Sequence, residues 1–111
     1  MLSKQELEEK RKILSESDKS MATAFKVLSD LNRYRIFRLL AEQPKYSISN
    51  IAHILNISLP LASQHIKVLV HAGLIHKERG GKKVFPKLEY SNPFVQAVVK
   101  TIERAMSSNQ K

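Results

Sequence analysis

Apolar residues recur at helical spacing through most of the chain, and the polar residues between them mark where each helix begins and ends. Residues 5–16 (QELEEKRKILSE) predict a helix with a thin stripe, Leu7 and Leu14 on one line and Ile13 beside it. Such a narrow stripe suits a two-helix seam better than a core-facing surface. Residues 19–28 (KSMATAFKVL) predict a second helix, with Ala22, Phe25 and Leu28 or Ser29 on one side. Asp30 is an N-cap candidate for a third, whose Ile36, Phe37, Leu39 and Leu40 form a buried face. Gln43-Pro44 stops it, and Lys45 to Ser47 reads as a brief extended piece. Ser49 can cap a short helix from Asn50 to Leu55, and Asn56-Ile57 then makes a tight turn. Ser58 is the next N-cap candidate, with Pro60 tolerated in a first turn that needs no N–H. That helix runs to about Ala72, and Gly73 is the residue expected to leave it with positive φ.

The period then changes. Leu74 to Glu78 and Lys83 to Leu88 flank Arg79-Gly80-Gly81-Lys82, which predicts a β-hairpin closed by a two-residue turn. Pro86 places its strand at an edge. Asn92 caps and Pro93 opens a last helix through about Met106, with an apolar surface wider than one stripe. A short helix, a tight turn and a longer helix followed by a hairpin make a winged helix-turn-helix. The expected class is therefore mainly α (α+β): about five helices plus a two-stranded wing. The expected division is an N-terminal dimerisation helix (1–18), a winged core (19–91) and a C-terminal dimerisation helix and tail (92–111).

At 100° per residue, the helix after Ser58 puts Ala62, Ile66, Leu69 and Gly73 on one face, with Leu61 and Val70 at its margins. Pro60, Ser63, Gln64, Lys67 and His71 fall opposite, and His65 lies between the two. A polar strip of short hydrogen-bonding groups near a helix N-terminus is what reading base edges in a major groove requires. Gln64 has the amide that pairs with adenine N6 and N7, Ser63 donates or accepts, and Lys67 reaches a phosphate or guanine. The hairpin adds Lys77, Arg79, Lys82 and Lys83 around two glycines, suited to phosphate or minor-groove contact. Charge points the same way. The net charge is +9, yet residues 1–20 hold five basic and five acidic side chains, so the whole excess lies in residues 21–111. A basic excess of this size favours a polyanionic partner, nucleic acid before a membrane surface.

The segments AFKVLSDLNRYRIFRLL, SISNIAHILNISLPLASQHIKVLVHAGLI and KERGGKKVFPKL resemble the ArsR/SmtB family of bacterial winged-helix repressors. The resemblance covers about residues 20–106, and SLPLASQHIKVL with the following AGLI is its most specific part. It implies homodimers built from the first and last helices that bind operator DNA, with Ser63 and Gln64 at base-contacting positions and Ser58, Pro60, His65 and Lys67 on the same helix. Leu7, Leu14, Val95, Val99, Ile102 and Met106 are the corresponding candidates for the subunit interface. The family's sensors are a different matter. Some members bind metal through cysteines on the helix that aligns with Ser49–Leu55, where this chain reads SNIAHIL. Others use Asp and His on the last helix, where it offers only Glu103, and thiol switches need two cysteines where it has none.

The absence of cysteine removes disulfides and thiolate metal sites altogether. His53, His71 and His76 match no compact ligand spacing, so no metal or other cofactor is expected. No Ser-His-Asp, paired-carboxylate or phosphate-loop pattern suggests an enzyme. No apolar run approaches the ~18 residues of a membrane span, and the charged start lacks a secretory core, so a soluble cytoplasmic protein is expected. The expected function is a homodimeric, double-stranded-DNA-binding repressor acting on an inverted repeat, its inducer open. The alternative is a winged-helix interaction module whose basic face binds an acidic protein.

Overall fold

A computed structural model describes residues 1–109. In chain order it contains α1 (Lys4–Arg11), α2 (Ser17–Leu28), α3 (Leu31–Glu42), α4 (Ile48–Leu55), α5 (Leu59–His71), β1 (Ile75–Gly80), β2 (Lys83–Leu88) and α6 (Pro93–Asn109). This is a winged helix-turn-helix, with six helices among the described residues against an expectation of about five.

Most helix ends follow local chemistry visible in the sequence. The Asp30 carboxylate accepts from the Arg33 N–H at 3.0 Å, and the Ser58 hydroxyl accepts from Leu61 N–H at 3.2 Å. The Asn92 side chain accepts from Phe94 N–H at 2.9 Å and donates to the Gly73 carbonyl at 3.0 Å, tying the start of α6 to the end of α5. Both helices of the pair close with the paired bonds of a Schellman ending. Ile57 N–H reaches the Ala52 carbonyl and Asn56 N–H that of His53; Leu74 N–H reaches Leu69 and Gly73 N–H reaches Val70. The required left-handed residues are Asn56 (φ 55) and Gly73 (φ 76).

Several boundaries differ from expectation, and three of them have a visible cause or consequence. The α4 cap is Ser47, not Ser49, because Asn50 three residues on returns the bond: Ser47 N–H donates to Asn50 Oδ1 at 3.0 Å and Asn50 N–H to Ser47 Oγ at 3.1 Å. The first helix ends at Arg11 and α2 begins at Ser17, so Ile13 and Leu14 lie between helices and stay exposed. The hairpin turn is Gly81-Lys82 rather than Gly80-Gly81, since Gly80 pairs with Lys83. Gly81 alone takes positive φ there (62), the pattern of a type II′ turn, while Gly80 is pressed so close to Phe85 that a Cβ would sit 2.9 Å from its ring.

The core joins Ile36, Phe37 and Leu40 of α3, Ile51 of α4, Ile66 and Leu69 of α5, Leu74, Ile75 and Leu88 around the hairpin base, and Val95 and Val99 of α6. At a fully buried position such as Leu69, truncation to Ala costs about 2–5 kcal/mol, so the aliphatic back of α5 fixes how its front is presented. On α2 the buried side is Ala24 and Val27, leaving Ala22 and Phe25 outside. Helix α1 buries none of its residues. Among the described residues no helix is long and apolar enough to cross a membrane.

Candidate nucleic-acid interface

Helix α5 has the two sides expected of it. Ala62, Ile66 and Leu69 are buried, while Ser58, Pro60, Ser63, Gln64, Lys67 and His71 are exposed. The outward strip therefore has no packing role within the chain, and the inward strip has no other. His65 departs from the expected contact set. Its side chain is only 12% exposed and turns toward α3, with Nδ1 3.8 Å from the Asp30 carboxylate. It therefore positions α5 against the cap of α3 rather than facing outward. The Asp30 carboxyl is held below its ordinary range, chiefly by the Arg33 N–H; burial opposes this, and the charges of Arg33 and His65 add to it.

The wing meets this helix in a groove of about 250 Å³. Ser49 from the start of α4, Leu59 and Ser63 of α5, and Lys82 and Lys83 of the hairpin tip all line it. Serines and two lysines thus share the lining of one concavity, residue types suited to phosphate oxygens. The sequence alone suggests Ser49 as a cap. With Ser47 holding that position, the Ser49 hydroxyl is left to the groove, and the Ser47/Asn50 reciprocal pair is the signal that would have found it. Lys77 and Arg79 are exposed but do not line this groove; the pairing puts them on the opposite ribbon face from Lys83, although Val84, which shares their face, does line it.

A second surface is of opposite character. Helices α2, α3 and α6 enclose an open trough of about 640 Å³, lined by Met21, Phe25, Phe94, Ala97, Val98 and Ala105 among others. Phe25 is 61% exposed and stacks edge-on against Phe94 with ring centroids 4.9 Å apart. The expected interface residues divide here. Val95 is fully buried and Val99 nearly so, both within the chain's own core, so neither has surface to offer a second copy. A wide apolar helix serves two surfaces, and these two residues face inward. Ile102 straddles core and trough, the half-buried Met106 meets the Arg38 guanidinium through its sulfur, and Leu7 and Leu14 are exposed. His53, His71 and His76 are not gathered, and among the described residues no three His, Asp or Glu side chains form a metal-holding group.

A family model described as a helix-turn-helix domain matches residues 28–78, from the end of α2 into β1. The arsenic resistance transcriptional regulator ArsR1 of Pseudomonas putida is 32% identical over 79 residues, 70% of this chain and 62% of the relative. In this respect the chain is similar to ArsR-family transcriptional regulators. A further similar protein is the cadmium resistance transcriptional regulatory protein CadC of Listeria innocua, 30% identical over 76 residues, 68% of this chain and 64% of the relative. The chain thus spans just under two thirds of the length of these curated relatives. A solved homodimeric winged helix-turn-helix DNA-binding domain, Mb0332 from Mycobacterium bovis, described as a possible ArsR-family regulator, superposes with a TM-score of 0.68 at 20% identity. That match covers 84% of this chain and 83% of the other, and it bears on the fold.

Proposed function

We propose that this chain is a homodimeric, sequence-specific ArsR-family repressor that binds an inverted-repeat operator in double-stranded DNA. The observation that carries the reading is the exposed Ser63/Gln64/Lys67 strip of α5 beside a groove where Ser49, Ser63, Lys82 and Lys83 converge. Phosphate contacts by the lysines supply most of the affinity, and the strip reads bases. Pro60 and Ser58 shape the helix start that enters the groove, and Lys77 and Arg79 reach backbone flanking the wing. The α2/α6 trough is the subunit seam, with Phe25, Phe94, Ala97 and Val98 at its centre, and with Leu7 of the partner's first helix and Leu14 from the segment after that helix covering its margin. With no cysteine in the chain, the repressor works without the family's thiolate metal or thiol sensor.

Selection of bound duplexes from a random pool, with sedimentation of the free protein, tests this. The expected outcome is a dimer that enriches a palindrome with half-sites about one or two turns apart at ~10.5 bp per turn. A chain that enriches no sequence but captures an acidic protein would overturn it in favour of an interaction module.

A further inference from the structure

The hairpin carries a second cluster that the DNA contacts do not use. His76 and Glu78 of β1, Lys87 of β2 and Glu89 just beyond it share one face of the ribbon, since alternate residues point the same way and His76 pairs with Lys87. His76 Nε2 lies 2.9 Å from Glu78 Oε2, and its Nδ1 lies 3.4 Å from Glu89 Oε2. Lys87 Nζ is 3.7 Å from the other Glu78 oxygen, and the Ser91 hydroxyl donates to Glu89 Oε1 at 2.9 Å. Nδ1 is buried with no hydrogen-bond partner.

These distances pose a problem for a neutral ring. Ionised carboxylates only accept hydrogen bonds, and a neutral imidazole carries a single N–H. With Nε2 holding that proton and donating to Glu78, Nδ1 and its lone pair lie 3.4 Å from the Glu89 carboxylate without a hydrogen bond between them. The Glu78 carboxyl is held below its ordinary range, first by its bond to His76 and further by Lys87, so it stays an acceptor. Only the imidazolium can donate to both sides. The second carboxylate also matters for where the bond leads. The Glu89 backbone donates to the Leu74 carbonyl at 2.9 Å and accepts from Asn92 N–H at 3.0 Å, so it belongs to the link between hairpin and α6.

The geometry points to His76 as a proton-operated latch at the base of the wing. On taking a proton from solvent, it bridges Glu78 to Glu89, pins the hairpin to the start of α6, stiffens the presentation of Lys82 and Lys83, and neutralises the cluster's excess negative charge. Operator binding then tightens on acidification. This regulation rests on the DNA-binding reading above.

The test compares the full chain with His76→Gln and Glu89→Gln at fixed ionic strength. Operator affinity is measured by fluorescence anisotropy at about pH 8 and about pH 6, the range in which histidines change charge. The wild type is expected to gain about threefold more affinity on acidification than His76→Gln, one added charge and a firmer wing being modest effects. Glu89→Gln is expected to lose most of that difference although His76 remains. Equal pH ratios in all three proteins would overturn the latch, and so would a wild-type ratio in Glu89→Gln, which would reduce His76 to a bare charge. Hydrogen exchange of the free proteins supplies an arm that needs no DNA: β1 and β2 amides should gain protection relative to α3 at the lower pH in the wild type alone. If no duplex binds, the DNA reading falls while exchange still decides the latch; unchanged hairpin protection in the wild type would end it.

Discussion

The outer strip of α5 and the outer strip of α6 are both exposed helix faces, and they are built oppositely. On α5 the outer strip carries Ser63, Gln64 and Lys67, groups that keep their water until replaced by polar edges of similar geometry. On α6 they include Ala97 and, partly covered, Phe94 and Val98, above a trough edged by Phe25. The first costs little to leave wet and is worth most against a polyanion. The second is a continuous apolar surface of the kind that marks a protein contact. Exposure alone therefore does not identify a binding face; the chemistry of what is exposed tells which partner suits it.

The sharpest way to break this contrast is to give the α6 face the character of α5. Ala97→Asp puts a charge into the proposed seam without touching the core. Burying it unpaired in both copies is expected to weaken association by about 3 kcal/mol or more, over a hundredfold, read by sedimentation equilibrium, with each subunit's circular dichroism unchanged. A smaller effect is expected on the polar face. Lys83→Ala should weaken every duplex alike, severalfold, and flatten the dependence of log affinity on log salt by about one unit for each phosphate that Lys83 neutralises. A sequence-selective loss would instead assign Lys83 to base reading.

Asp30 stands between the two faces, capping α3 and facing His65 of α5. Asp30→Ala is expected to cost about 1 kcal/mol of folding stability at neutral pH, seen as a lower denaturation midpoint. Its carboxyl is depressed in the folded chain, so its contribution is present above the unfolded carboxylate range and fades as pH falls through the lower folded value. The gap between wild type and variant should thus close in acid, below about pH 4. The smallest effect belongs to Gly81→Ala. Its φ of 62 strains any Cβ by about 1 kcal/mol, which should loosen the wing tip in hydrogen exchange while leaving the α6 seam alone.

What is legible in the chain follows from where local chemistry and burial agree. Asp30, Ser58, Gly73 and Asn92 each carry a cap or ending that only one conformation satisfies, and those boundaries match. The buried side of α5 (Ala62, Ile66, Leu69) and the exposed Ser63, Gln64 and Lys67 also match, although Leu59, Leu61 and Val68 are exposed too. The end of the first helix is not legible, because no glycine or proline follows Arg11 to mark it, and nothing packs on the helix to hold a longer form. The start of α4 is ambiguous because Ser47 and Ser49 are equivalent as single residues, and only the return bond from Asn50 separates them. Val95 and Val99 fit a seam as well as a core in the sequence because α6 is apolar over more than one stripe. Which part meets its own core depends on packing against α3 and the hairpin base. Phe25 illustrates the same limit in reverse: the aromatic residue of α2 is outside, and the smaller Ala24 and Val27 are inside.

The most direct measurement of the central claim is duplex selection from one random pool, run in parallel on the wild type and Gln64→Ala. If the exposed α5 strip reads base edges, the wild type yields an inverted repeat, and the variant yields the same repeat with preference lost at one position in each half-site, a loss of about 1–3 kcal/mol of discrimination there. An identical consensus from both proteins would contradict that claim.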